Sequence, residues 1–350
     1  MKVGLTYDLK DDYVPLVDDP PDAATELDTE ETIAALEAAI RANGHKTVRI
    51  GNAKNLLRLA IDDDLDVDMV FNISEGIEGR SREAQVPAIL ELLGIPYTGS
   101  DALTMAISLD KGMSKKIFRS ERVPTPDWFV APSVAEVDEW EVEFPLFVKP
   151  IHEGTAKGVT VLSLVKDMRS LRRQVSRVLK TYRQPALVEE FLPGREFTTG
   201  IIGNGSATVL GTMEVIVADP TEDHIYTGTS KAEFEEKVLY RPGRDIEPAL
   251  RRKVEAVAVA AHKALDCRDF SRVDIRCDSQ GRPCCLEVNP LAGLNPRTSD
   301  LAFIAKFEGI SYEELIGKIL SEAIGRTRRT SRRAPASVRL RDIPAGAVGA

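Results

Sequence analysis

Two periods of apolar residues alternate over the first hundred positions. Lys2–Tyr7 reads as a short strand. Asp28-Thr29-Glu30-Glu31 resembles a capping box, and Ile33, Leu36 and Ile40 follow it at helical spacing until Asn43-Gly44 stops the pattern. Lys46–Ile50 and Val67–Ile73 are strand-like, Arg82–Leu93 is helical up to Gly94, and Ile95-Pro96-Tyr97 continues extended. Strands alternating with helices predict a parallel sheet covered by helices.

A second unit begins near Ser100. A helix is expected over Asp110–Arg122, broken by Pro124 and Pro126, then strands at Phe144–Pro150, Val159–Ser163 and Ala186–Phe191 with a basic helix over Asp167–Thr181 between the last two. From Gly194 the pattern gives strands at Phe197–Gly203 and Ala207–Val217, a helix over Ile246–Leu265, a hairpin and two closing helices. The expected class is α/β in three domains: 1–100 on the substrate side, 101–193 in the centre and 194–325 at the C-terminal end. Residues 326–350 are expected to be a basic disordered tail.

Composition narrows the function. Of 350 residues 43% are hydrophobic and 29% charged, which is ordinary for a globular protein. The net charge is −9, and the segment from Arg326 onward holds seven Arg and one Asp, so residues 1–325 carry −15. So acidic a body argues against nucleic acid as a partner. No apolar run approaches a membrane span, and the start lacks the apolar core of a signal peptide. Cys267, Cys277, Cys284 and Cys285 crowd one end without a C-x-x-C spacing, so neither a disulfide framework nor a zinc site is expected. A cytoplasmic protein, with no membrane partner, is the expectation.

The chemistry concentrates in the hairpin 269–290. Asp278–Gly281 is a turn signal between two apolar-alternating runs. If residues 277 and 282 flank the turn, Arg272 lies opposite Glu287, and Arg272, Asp274, Glu287 and Asn289 share one face. A one-residue slip would break that arrangement. Two carboxylates and a carboxamide oxygen suit Mg²⁺, and Arg272 supplies fixed positive charge for a phosphate or oxyanion. Lys149 leaves an apolar strand just before the turn Glu153–Gly158, whose backbone N–H groups can hold an anion. The P-loop and dinucleotide patterns are both absent. In Leu187–Glu196 a strand ends in a polar turn where a purine could pair with backbone and a ribose with a carboxylate.

Four segments in this order, IPYTGSDALTMAISLDK (95–111), FPLFVKPIHEGTAKGVTV (144–161), LVEEFLPGREFT (187–198) and SRVDIRCDSQGRPCCLEVNPLAGLNP (271–296), resemble the ATP-grasp superfamily and, within it, the D-alanine–D-alanine ligases. The resemblance covers roughly residues 65–325. It implies the ATP-grasp fold and an ADP-forming carboxylate–amine ligase of peptidoglycan biosynthesis. The cofactors implied are ATP and two Mg²⁺ ions, with Mn²⁺ as the substitute. Lys111, Lys149 and Lys231 then match phosphate-side lysines, Glu189, Phe191 and Leu192 the adenine-binding strand and hinge, and Glu196 the ribose carboxylate. Asp274, Glu287 and Asn289 match the metal site, Arg272 the arginine over the reacting group, and Gly293 the oxyanion-side loop.

Every departure from the family pattern falls on the amino-acid side. No glutamate in Gly4–Asp12 matches the family's amino-group ligand, and Asn72–Arg80 replaces the usual His-Gly segment. Ala232 follows Lys231, and the loop Gly293–Ser299 is one residue longer than usual. Glu75 and Glu78 are the nearest acidic replacements. Arg80 and Arg82 could meet a carboxylate, and Arg297 and Ser299 are the fallback for holding an amine. The leading expectation, from the resemblance, is a D-alanine–D-alanine ligase-like enzyme that forms a peptide bond through an acyl phosphate, with the small amino acid D-alanine as the substrate. A ligase for other amino acids and a nucleotide-binding protein without catalysis are the alternatives, and a homodimer is left open.

Overall fold

The computed structural model describes residues 1–217 and 238–331. Three separate sheets organise it. The first is parallel, ordered β2-β1-β3, from β1 (Lys2–Thr6), β2 (Lys46–Gly51) and β3 (Met69–Asn72). Between these strands run α1 (Glu30–Ala42), capped by the Thr29 hydroxyl accepting from Thr32 N–H, and α2 (Ala53–Ile61), capped by Asn52. The sequence pattern gave no sign of α2, whose only buried residue is Leu56. A single 3-10 turn (Arg82–Ala84) precedes α3 (Gln85–Leu93), which ends where Gly94 takes φ 65°.

The helix expected over 110–122 forms, and a further helix that the sequence pattern did not show precedes it. Asp110 ends α4 (Ala102–Leu109) and caps α5 (Lys111–Ser120), its carboxylate accepting from Met113 N–H. The second sheet, β4-β7-β5-β6, contains β4 (Trp128–Ala131), β5 (Leu146–Pro150), β6 (Leu164–Val165) and β7 (Ala186–Glu190). α6 (Val134–Val137) follows β4, and α7 (Met168–Tyr182) packs on this sheet. The strand expected at 159–163 is a 3-10 turn, because Thr160 and Ser163 cap each other's backbone there.

The third sheet is antiparallel, ordered β10-β9-β8-β11-β12. Its strands are β8 (Glu196–Ile202), β9 (Thr208–Val217), β10 (Val238–Pro242), β11 (Phe270–Cys277) and β12 (Pro283–Asn289). α8 (Pro248–Ala264) covers one face, and α9 (Asp300–Phe307) and α10 (Tyr312–Ser331) close the described chain.

Cores do not follow chain order. Leu315, Ile316, Ile319 and Leu320 of α10 join Ile33, Leu36 and Ile40 of α1 in one cluster, so the last helix completes the first unit. That helix also corrects the expected tail boundary. Arg326 is helical and its Nη2 donates to the fully buried Asp269 at 2.8 Å and to the Tyr97 carbonyl at 2.8 Å. Among the described residues no helix is long and apolar enough to cross a membrane, and all four cysteines are free thiols.

Candidate active site

The hairpin β11–β12 sets the geometry. Cys277 pairs with Pro283, one residue beyond the expected partner, and a bulge then adds a second shift between Asp274 and Ile275. Arg272 therefore lies opposite Asn289, not Glu287, and Asp274 lies opposite Glu287. Two one-residue shifts restore the parity of the strand, so the four side chains still share one face. The bulge also aims the successive Leu286 and Glu287 into the same cavity.

That face holds a dense set of charges. Arg272 Nη2 lies 2.8 Å from Asp274 Oδ2, and its Nη1 lies 3.4 Å from Asp300 Oδ2. Asn289 Nδ2 donates to Asp274 at 3.0 Å, as does the Thr198 hydroxyl. Lys111 Nζ lies 3.3 Å from Glu287 Oε2. Burial raises the Asp274 carboxyl although Arg272 opposes it, whereas Lys111, Lys149 and Arg272 outweigh burial at Glu287 and hold that carboxyl low. Among the described residues no cluster of three or more His, Cys, Asp and Glu side chains forms a metal site. The donor set here is two carboxylates and an amide, all offering hard oxygen, and that chemistry fits Mg²⁺.

Behind this face a cavity of about 140 Å³ lies between the second and third sheets. Glu189 sits on its wall, 3% exposed, with Lys149 Nζ at 2.7 Å and Lys115 Nζ at 2.6 Å. Phe191 and Leu192 line it just after β7, and Glu196 faces Arg276 at 3.1 Å. Lys115 and Arg276 were missed in the sequence. Lys115 stands four residues after Lys111 on α5, a spacing that puts both on one helix face, and that signal was available. Lys231 lies outside the described residues.

The turn Glu153–Gly158 differs from the expected anion cradle. Gly154 N–H donates to Glu26 and Gly158 N–H donates to Asp22 at 2.8 Å, so the chain's own carboxylates occupy two of its donors. A β-carbon at Gly154 would stand 2.8 Å from Glu26 Oε1, which shows how closely the two segments approach. Glu26 also meets Lys157 at 3.0 Å and Arg82 at 2.9 Å. Arg82 is thereby engaged, and Arg80 turns to Asp110.

A second cavity, of about 300 Å³, opens beside the first. Glu75, Gly293 and Ser299 line it; Glu78 and Arg297 do not. Glu78 is exposed, and Arg297 is an exposed side chain 3.0 Å from Glu31. A β-carbon on Gly293 would come within 2.9 Å of Ser299 Oγ, which accepts from Asn295 N–H at 2.9 Å. Asp28 and Glu83 also face this cavity and were missed: Asp28 reads in the sequence only as part of a capping box, and Glu83 belongs to no recognisable local motif. Lys111, Thr155, Arg272, Glu287 and Asp300 line both cavities. The two spaces meet at the charged face of the hairpin.

Known proteins resemble this chain over most of its length. The family model for the C-terminus of D-ala D-ala ligase matches residues 119–321. A D-alanine–D-alanine ligase of Aquifex aeolicus is 32% identical over 293 residues, covering 83% of this chain and 94% of its own. The uncharacterized protein y4sG of Sinorhizobium fredii is 35% identical over 292 residues, 82% of this chain and 85% of its own. The crystal structure of the Bacillus anthracis D-alanine–D-alanine ligase superposes with a TM-score of 0.71 at 26% identity, covering 95% of this chain and 99% of that one. The same enzyme complexed with ATP gives 0.69 at 25% identity, with the same coverage.

Proposed function

The chain belongs to the D-alanine–D-alanine ligase family, ATP-dependent, ADP-forming ligases with the ATP-grasp fold, and from that premise we propose that it activates one amino acid as an acyl phosphate and joins it to the amine of a second. The observation that carries this reading is the shared wall of the two cavities. A nucleotide in the smaller cavity would present its terminal phosphate to Lys111, Arg272 and Glu287, and a carboxylate in the larger one would approach the same residues.

In the first step a carboxylate oxygen attacks the γ-phosphorus and ADP leaves. In the second the free amine attacks the acyl carbon, phosphate departs, the amine proton is released and an amide remains. The protein contributes position and charge. Lys149 and Lys111 face the phosphates, Glu196 is placed for the ribose, and Phe191 and Leu192 border the base. Arg272 offers its guanidinium to charge developing on the transferring group. Asp274, Glu287 and Asn289 would hold Mg²⁺, two ions in the family pattern, which supplies charge neutralisation of the phosphates. Glu75 is the member of the expected acidic wall that reaches the larger cavity. Three sheets with their own clusters support domains at 1–100, 101–193 and 194–325, with α10 returning to the first. ADP release from ATP and Mg²⁺ in the presence of D-alanine, with the dipeptide identified by mass, tests the reading. ATP turnover that is indifferent to every amino acid offered would refute it.

A further inference from the structure

Among the described residues, three carboxylates on the larger cavity are in no ion pair. Asp28 comes from an isolated bridge to Leu9 before α1, Glu75 from the loop after β3 and Glu83 from the 3-10 turn before α3. The other acids around this space are provided for: Glu26 by Arg82 and Lys157, Glu287 by Lys111, Asp300 by Arg272. Among the described residues, no ion pair or hydrogen bond reaches the side chain of Asp28, Glu75 or Glu83. Glu83 is only 8% exposed, and what remains open of it faces the cavity. The adjacent Arg82 acts on it only through its charge, since that guanidinium is bonded to Glu26, Glu153 and the His152 carbonyl.

A buried carboxylate without a donor is unfavourable, so this wall is built for something that arrives. Burial raises all three carboxyls, Asp28 and Glu83 to about 7; neighbouring acids add to this, and the Arg82 charge opposes it at Glu83 and Glu75 without cancelling it. One α-ammonium brings one positive charge, too little for three acids even with Lys10 on the same cavity. The amine of the second substrate does not balance the remainder either. An amine held by a carboxylate keeps its proton and is then no nucleophile. Gly76 packs against the Arg82 backbone, where a β-carbon would stand 2.6 Å from the Arg82 carbonyl oxygen, so Glu75 and Glu83 share one part of the wall, whereas Asp28 comes from the separate segment before α1. The wall therefore offers two seats for cations.

We propose that the amino acid activated here is a diamino acid, its side-chain ammonium held between Glu75 and Glu83 while Asp28 meets the α-ammonium. The assignment rests on the ligase reading for the placing of the carboxylate beside Arg272, whereas the cation seats stand on the cavity alone. The larger cavity, about 300 Å³, has room for a side chain longer than a methyl group.

Calorimetric titration of the full chain, with Mg²⁺ and a non-hydrolysable ATP analogue present, separates the two claims. The probes are both enantiomers of 2,4-diaminobutyrate, ornithine and alanine. At least one diamino acid should bind on the order of tenfold more tightly than either alanine, the scale of one charge-assisted hydrogen bond. Glu83→Gln should cut that preference by about tenfold, and Glu75→Gln, made separately, should do the same. Alanine binding as tightly as every diamino acid overturns the proposal, as does absence of binding by either class, or a preference unchanged in both variants. ADP release with ATP in place of the analogue tests the other claim. Turnover with alanine and with no diamino acid leaves the ligase reading standing and removes the diamino substrate. Tight diamino binding without ADP release from any amino acid keeps the seats and removes the ligase reading.

Discussion

Asp274 and Glu287 face each other as a cross-strand pair on β11 and β12, one step before the bulge that turns Leu286 toward the smaller cavity. Their oxygens and those of Asn289 are the hard donors at the junction of both cavities. Glu287→Gln or Asp274→Asn should lower turnover by at least about a hundredfold, since each removes a charged oxygen that balances the triphosphate. Circular dichroism and melting temperature should show the fold retained. Activity near that of the parent at ordinary Mg²⁺ would disprove the metal assignment.

Lys149 reaches the smaller cavity from the end of β5, held by Glu189 at 2.7 Å. Lys149→Ala should raise the KM for ATP about tenfold or more and slow turnover, because a phosphate-side charge is lost. Steady-state kinetics with varied ATP checks this, and an unchanged KM for ATP would remove Lys149 from the nucleotide site.

Glu189 stabilises the fold through the same contact. Burial raises its carboxyl, but Lys115 and Lys149 together hold it below the ordinary glutamate value. A carboxyl depressed in the folded state contributes stability above its unfolded value, and that contribution is lost as pH falls through the folded value. Glu189→Gln leaves two buried ammonium groups unpaired, and should therefore cost roughly 3–5 kcal/mol at neutral pH. The difference between variant and parent should shrink under acid conditions. Urea unfolding at several pH values measures both effects.

Arg326 and Asp269 join the last helix to the base of β11, with Asn204 Nδ2 and Gly99 N–H completing the shell around the carboxylate. Truncation after Gly325, or Arg326→Met, should destabilise the protein by roughly 3 kcal/mol, because a fully buried carboxylate loses its cation. Thermal unfolding of each variant decides whether the helix end anchors the fold.

The loop around Gly293 gives a more local test. A methyl group there would crowd Ser299 Oγ, which fixes the Asn295 backbone. Gly293→Ala should raise the KM for amino-acid substrate while leaving the KM for ATP near the parent value. Kinetics with each substrate varied in turn would show it.

Local chemistry explains what the sequence disclosed. The hairpin face was legible because period-two alternation and a strong turn signal persist through the bulge. The exact partners were not, since a bulge such as that at Leu286 has no clear mark in composition. Lys149, Glu189 and Glu196 were visible in motifs that keep their spacing. Glu26, Asp28 and Glu83 were not, because they meet only when the segment before α1, the turn before α3 and the loop after β5 come together across distant parts of the chain. Arg326 was hidden in a run of arginines whose charge suggested solvation, although one of them reaches a buried acid.

Oxygen transfer tests the central claim most directly. Amino-acid substrate labelled with ¹⁸O in its carboxylate, incubated with ATP and Mg²⁺, should yield one ¹⁸O in the inorganic phosphate for each amide formed, because the attacking carboxylate oxygen leaves with the phosphoryl group. Amide formed with unlabelled phosphate would contradict activation at the junction of Arg272, Lys111 and Glu287.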